Sequence, residues 1–256
     1  MMKKKISTFL IALAISAMIV AQDYKKVFSG SKLELRISNS QVDIEGYDGT
    51  EVQIYGMNID EIPDRAKGLK ALHHTGEDNT GIGLSVIESN GVLKIEKVSK
   101  RDGDYVIKVP RKMNLIIEET TWNGDGFKIM NLEGDVEVYA KGSDIEFRNV
   151  SGAIVAETTN GDILVVLSQL NQQKQSSIKS TNGFVDITLP ADTKADLTLK
   201  STNGDIYTDF DLEKEGYSSS RWNSWSSHVY IGKANGGGVK LYLSSINDDV
   251  FLRKKK

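Results

Sequence analysis

The chain has 256 residues, with 32 Lys plus Arg, 35 Asp plus Glu, no Cys and a formal net charge of −3. That length allows one large or two small domains. The mildly acidic balance excludes the positive field that non-specific nucleic-acid binding needs. The absence of Cys excludes disulfides and lipid attachment through an N-terminal Cys, so stability has to come from burial and backbone pairing.

The first stretch, MMKKKISTFLIALAISAMIVAQ, has the layout of a secretory signal peptide. Lys3, Lys4 and Lys5 form a positive start, Phe9 to Val20 is an apolar run short for a bilayer, and Ala21 is a small residue for cleavage before Gln22. Residues 1–21 are therefore expected to be removed. The mature chain then carries 29 Lys plus Arg against 35 Asp plus Glu, a net −6. It is expected to be exported to the periplasm, the cell surface or the exterior, with no integral membrane segment. Residues 22–256 are expected to form a single domain, with insertions at about 60–80 and 211–228.

Short alternating segments follow. LELRIS puts Leu33, Leu35 and Ile37 on one face, QVDIEG does so with Val42 and Ile44, and EVQIYG with Val52 and Ile54. DVEVYA and VKLYL repeat the pattern at Val136, Val138 and Ala140 and at Val239, Leu241 and Leu243. Period-two alternation with one apolar face is the mark of half-buried strands. Helical spacing is confined to Asp60–His74, where Ile62, Ala66, Leu69 and Leu72 line one side and Pro63 suits an early helical position. A short helical excursion is expected there.

One phrase recurs: TTNGDILVVL from Thr158, STNGFVDITL from Ser180 and STNGDIYTDF from Ser201. Gly161, Gly183 and Gly204 are spaced by 22 and 21 residues, whereas Gly204 to Gly236 is 32. A longer self-similarity relates IKVPRKMNLIIEETTWNGD, from Ile107, to ITLPADTKADLTLKSTNGD, from Ile187. In both, a strand ends at Pro, which cannot donate to a ladder. Repetition near 20 residues predicts an all-β solenoid whose stacked coils share one core. The alternative is a β-sandwich or β-meander of hairpins turning at each Asn-Gly. On the solenoid reading, Ile163, Val165, Ile187, Leu189, Leu197, Leu199, Ile206, Leu241 and Leu243 point inward. The Asn side chains bond from coil to coil, and the three glycines supply positive φ at corners.

The segments VDIEGYDGTEVQIYG (Val42–Gly56), DNTGIGLSV (Asp78–Val86), YVIKVP (Tyr105–Pro110) and the TNGDI units resemble the DUF4097 family of Bacteroidetes β-strand-repeat proteins, termed putative adhesins. The resemblance covers most of the mature chain. It implies a right-handed, single-stranded β-helix-like fold exported from the cytoplasm, and brings no catalytic residues with it.

The inventory for chemistry is thin. The only histidines are His73, His74 and His228, and no metal-ligand spacing accompanies the pair. A polar helix end explains His73 and His74, and no metal or cofactor is expected. Asp162 and Asp205 hold the same slot after Asn-Gly, but Phe184 takes it between them. Two coils would separate these carboxylates by about 9.6 Å, beyond the roughly 5–5.5 Å of a retaining glycosidase pair. The NGGG at Asn235–Gly238 lacks the Lys-Ser/Thr of a phosphate loop and reads as a corner. Tyr217, Arg221, Trp222 and Trp225, amid Ser and Asn, have the composition of a recognition loop. The competing explanation is that the two Trp cover an edge of the solenoid. The expectation is an exported non-enzymatic adhesin or scaffold that binds a glycan or a surface or matrix protein. The alternatives are a polysaccharide-acting β-helix enzyme and a periplasmic sensor or regulatory partner.

Overall fold

The computed structural model describes the backbone of residues 22–69, 71, 76–222 and 225–256, and their side chains except those of Gln22 and residues 217–227. The expected signal peptide, Leu72, His73 and His74 lie outside these residues.

Strands β1 (Gln22–Val27), β2 (Lys32–Ile37), β3 (Gln41–Tyr47) and β4 (Glu51–Met57) precede a single 3-10 turn at Asp64–Ala66. Next come β5 (Leu84–Ser89), β6 (Val92–Lys97), β7 (Asp104–Pro110), β8 (Asn114–Glu119), β9 (Gly126–Met130), β10 (Val136–Tyr139) and β11 (Ile145–Arg148). Then follow β12 (Ile154–Thr158), β13 (Ile163–Val166), β14 (Ser176–Ser180), β15 (Val185–Leu189), β16 (Ala195–Ser201) and β17 (Ile206–Thr208). The last are β18 (Leu212–Trp222), β19 (Trp225–Ala234), β20 (Val239–Ser245) and β21 (Val250–Lys254). The amphipathic helix expected over 60–74 is not formed by the described part of that segment. Ile62 and Leu69 are 59% and 74% exposed, so no apolar face is buried that could hold a helix.

Two sheets face each other. One runs β1-β4-β7-β3-β9-β11-β13-β15-β21-β17, the other β5-β6-β2-β8-β10-β12-β14-β20-β16-β19-β18. Eight coils contribute one strand to each sheet, and neighbouring coils pair in parallel throughout. This is the β-solenoid expected from the repeat. Hairpins at the Asn-Gly pairs would have made the neighbours antiparallel.

The coils do not stack in chain order. The first, β2–β3, lies between β6–β7 and β8–β9. The last, β20–β21, lies between β14–β15 and β16–β17. The links β7→β8 and β15→β16 therefore each step over an intercalated coil. They are the two segments whose sequences match from Ile107 and from Ile187, so that self-similarity marks one topological device used at both ends. Antiparallel strands cap the stack: β4 and β1 beside β7, β5 beside β6, and β19 and β18 beside β16.

The alternating residues fill one column between the sheets. Ile163, Val165, Ile187, Leu189, Leu197, Leu199, Leu241 and Leu243 are each no more than 2% exposed. Full burial of such a side chain is worth about 1.5–3 kcal/mol. Ile206 is only partly buried, because its strand ends one sheet and no further strand among the described residues pairs beyond it.

The repeated phrase is a corner between sheets. The Ser180 and Ser201 hydroxyls accept the N–H of Gly183 and Gly204 and donate to the carbonyls of Gly161 and Asp248 in adjacent coils. Asn160, Asn182, Asn247 and Asn203 form an amide ladder from coil to coil. Asp162 accepts the Phe184 N–H of the next coil, and Asp144 likewise accepts that of Asp162. The glycines act differently from expectation: Gly161, Gly183 and Gly204 are not among the positive-φ residues. A Cβ on Gly161 would collide with the Ser143 carbonyl, one on Gly183 with Gly161, and one on Gly204 with Asp248. Close coil-to-coil approach is what demands glycine. The left-handed residues include asparagines at other bends, such as Asn131 (φ 57°) and Asn149 (φ 53°).

Gly161→Ala is accordingly expected to destabilise by about 1–3 kcal/mol through overpacking rather than backbone strain. Urea unfolding should show it as a lower midpoint, and an unchanged midpoint would contradict the close-approach account. A second expectation concerns pH. The buried Tyr105 hydroxyl donates to the Ile82 carbonyl and ties the 58–83 excursion to the core. Burial raises its pKa above the ordinary 10. Its contribution is complete below pH ~10 and is lost as pH rises further, because only the unfolded chain ionises readily there. Tyr105→Phe should cost about 1–3 kcal/mol at neutral pH and flatten the alkaline fall in stability, measured by urea titrations between pH 8 and 11.

Candidate functional site at the distal end

The stretch expected as a loop at 211–228 is a hairpin. β19 pairs with β16 from Ala234 to His228, and β18 follows β19 to its tip, with a bulge between Lys214 and Gly216. Three cross-strand pairs, Ser220↔Ser227, Arg221↔Ser226 and Trp222↔Trp225, lie beyond the last residue that β16 supports. At 3.4 Å per residue the ribbon overhangs by about 10 Å. Trp222 and Trp225 face one another across its tip, and Tyr217 pairs with Tyr230 farther back. The side chains of Tyr217, Arg221, Trp222 and Trp225 lie outside the described residues, so only their backbone positions are assigned.

An aromatic cluster that sequence reasoning missed stands on the outer face nearby. The Tyr207 and Phe251 rings stack with centroids 5.3 Å apart, and Phe184 meets Phe251 edge-on at 6.2 Å. The Arg253 guanidinium lies 4.9 Å from the Phe251 centroid and is held by the Asp186 carboxylate. Tyr207, on the last strand, is 48% exposed. The Asp205 and Asp249 carboxylates push its phenol pKa up. The one sequence signal was Phe184 replacing Asp in the Asn-Gly-Asp slot.

On the inner side, Leu199, Ile206, Phe210, Leu212 and Tyr230 surround a cleft of about 440 Å³ between β17 and the hairpin. A larger hollow of about 1220 Å³ is lined by Ile62, Leu69 and Lys97, and no site is assigned there.

The buried charges serve corners. Lys97 donates to the Ser38 and Asn39 carbonyls and to the Ser40 hydroxyl, and burial lowers its pKa. Ala140 occupies the hydroxyl position of its corner, and Glu119 of the adjacent coil substitutes for it. One Glu119 oxygen accepts the N–H groups of Lys141, Gly142 and Ser143, while the other accepts the Ser143 hydroxyl. Asp162 and Asp205 are farther apart than expected. The intercalated coil adds a rung, making three, or about 14 Å. Burial raises the Asp162 pKa, opposed by the Phe184 N–H and reinforced by Asp144 and Asp248. No group of three His, Asp or Glu placed to hold a metal ion occurs among the described residues. No helix among them is long and apolar enough to cross a membrane. Asn235 takes positive φ, as do Gly236 and Gly237, so NGGG is the turn between β19 and β20.

Residues 123–241 match the family model described as Toastrack DUF4097, from just before β9 into β20. This is the β-solenoid family that the sequence resembled. No curated protein matches the chain. Among solved structures, a "putative cell adhesion protein" from Clostridium sporogenes is 11% identical, covering 92% of this chain and 100% of its own at a TM-score of 0.42. A "putative adhesin" from Bacteroides fragilis is also 11% identical, covering 92% and 97% at a TM-score of 0.40. These descriptions are of those proteins.

The corner role of Glu119 separates two substitutions. Glu119→Gln can keep an oxygen toward the three N–H groups and offer its amide to the Ser143 hydroxyl, so a small loss is expected. Glu119→Ala leaves the N–H groups of Lys141, Gly142 and Ser143 and the Ser143 hydroxyl without their acceptor and should cost about 1–3 kcal/mol more, read from paired chemical denaturation curves.

Proposed function

We propose that this chain is an exported, non-enzymatic surface scaffold of the adhesin type that binds a glycan or a matrix protein through the tip of the β18–β19 hairpin. The proposal includes removal of residues 1–21 as a signal peptide and a single solenoid domain over 22–256. One observation carries the reading: the hairpin continues for three cross-strand pairs past the strand that supports it. A hairpin serving only to cover the edge of β16 would need no such overhang. Trp and Tyr supply contact area at small conformational cost, and Ser and Asn supply adaptable hydrogen bonds. Coils paired on both sides make a stiff base for such a tip.

The test is a glycan and matrix-protein array probed with the mature chain and with a Trp222→Ala, Trp225→Ala double variant. Loss of the bound signals with an unchanged unfolding midpoint is the expected result. A fall in stability of several kcal/mol would instead identify the rings as an edge cover. Indoles shielded from a small neutral quencher would argue the same way.

A further inference from the structure

Among the described residues, the distal end leaves one strand position empty. One sheet stops at β17, a strand of three residues, while the facing sheet runs on through β19 and β18. Successive residues in a parallel ladder bond alternately to one side and the other. The Asp205 carbonyl accepts the Val250 N–H. The N–H and C=O of Ile206 and Thr208 therefore turn away from β21, toward the open edge. Beneath that edge lies the cleft bounded by Leu199, Phe210, Leu212 and Tyr230. It is the space that the inward side chains of one more strand would enter. At the corner where β17 begins, Asp205, Asp248 and Asp249 form no ion pair with a Lys or Arg within 4.0 Å among the described residues. Elsewhere around the strand, the carboxylates of Asp186 on β15 and of Asp211 just past Thr208 are paired by Arg253 and Lys254.

We propose that the β17 edge receives a strand from a protein partner. The occupant is an extended segment with alternating apolar residues and with Lys or Arg at the end that meets Asp205, Asp248 and Asp249. Main-chain bonds to Ile206 and Thr208 supply the attachment. The cleft selects apolar side chains at every second position, and the acidic corner selects the cationic end. A second copy of this chain fits less well. Antiparallel pairing of β17 with β17 would send both β18–β19 hairpins, each two strands beyond β17, into the same space.

The probe is the fluorescein-labelled peptide Lys-Lys-Val-Thr-Val-Thr-Val-Lys, titrated with the mature chain and followed by anisotropy. Binding is expected, weakening as salt is raised. The same peptide with Glu for Lys should bind at least ten-fold more weakly, and a version with Pro at the central Val should not bind. Ile206→Pro removes an outward N–H at the first residue of an edge strand, a position that tolerates Pro. It should abolish binding, whereas Ile206→Ala, which loses the same core packing but keeps the N–H, should still bind. If Ile206→Pro does not fold, Asp205→Lys serves instead and should reverse the preference toward the Glu peptide. The Trp222→Ala, Trp225→Ala variant should bind the peptide normally, so this inference and the hairpin-tip reading fail separately. Equal binding of the Lys and Glu peptides would overturn the proposal, as would undiminished binding of the Pro peptide. So would a concentration-dependent dimer that Ile206→Pro abolishes, since a second copy would then hold the edge.

Discussion

Neighbouring coils approach at the roughly 4.8 Å spacing of paired strands even where the chain turns between sheets. The corner backbone therefore has to bond to the coil above and below while no side chain intervenes. Glycine at 161 and 183 satisfies the second condition, since a Cβ would strike the adjacent corner. Ser180, Ser201 and Ser245 satisfy the first, each hydroxyl accepting within its own corner and donating to the next. Where Ala140 lacks the hydroxyl, the longer Glu119 reaches across from the coil beside it. The buried side-chain polar atoms among the described residues all have partners. An unpaired group in so narrow a column would cost more than a single corner contributes.

Stacked coils share a weakness at their ends, where a strand has backbone groups on one side only. The intercalated coils address it in the same way at both ends. The first and the last coils lie inside the stack, so β3 and β21 each have a parallel partner on both flanks. β21, the last strand in chain order, is thereby tied into its sheet, whereas β1 lies at the outer edge beside β4. The exposed positions fall instead to hairpins and short strands, which can be shaped without disturbing the column.

The two ends are finished differently. Near β7 both sheets are extended by antiparallel strands, whereas near β17 only the facing sheet continues. The β18–β19 hairpin thus has an unsupported tip on one side and an uncovered inner face on the other. The exposed Tyr207, the acidic corner and the apolar cleft converge on the same end because of that mismatch in strand number.

Much of the fold was legible because strands report burial locally. Alternation identified the inward residues from Ile163 to Leu243, and the recurring Asn-Gly phrase identified the coils and the amide ladder. Even the coil-skipping links left a trace, in the match between the segments from Ile107 and from Ile187. Three features were not legible. Short-range sequence treats Asn-Gly as a turn needing positive φ; that the glycines instead admit a neighbouring carbonyl depends on a coil 18 to 44 residues away. The apolar spacing around Ile62 and Leu69 suggested a helix, but both side chains stay exposed, so no packing holds that face. The cluster of Phe184, Phe251 and Tyr207 exists only because β21 enters between β15 and β17. The sequence by itself determined the strands, the inward column and the composition of each corner, since these rest on period and local bonding. Only the tertiary structure decided the order of the coils, and with it which side chains meet at the open end. Pairing partners in a parallel stack are chosen by contacts between distant segments, which no local pattern encodes.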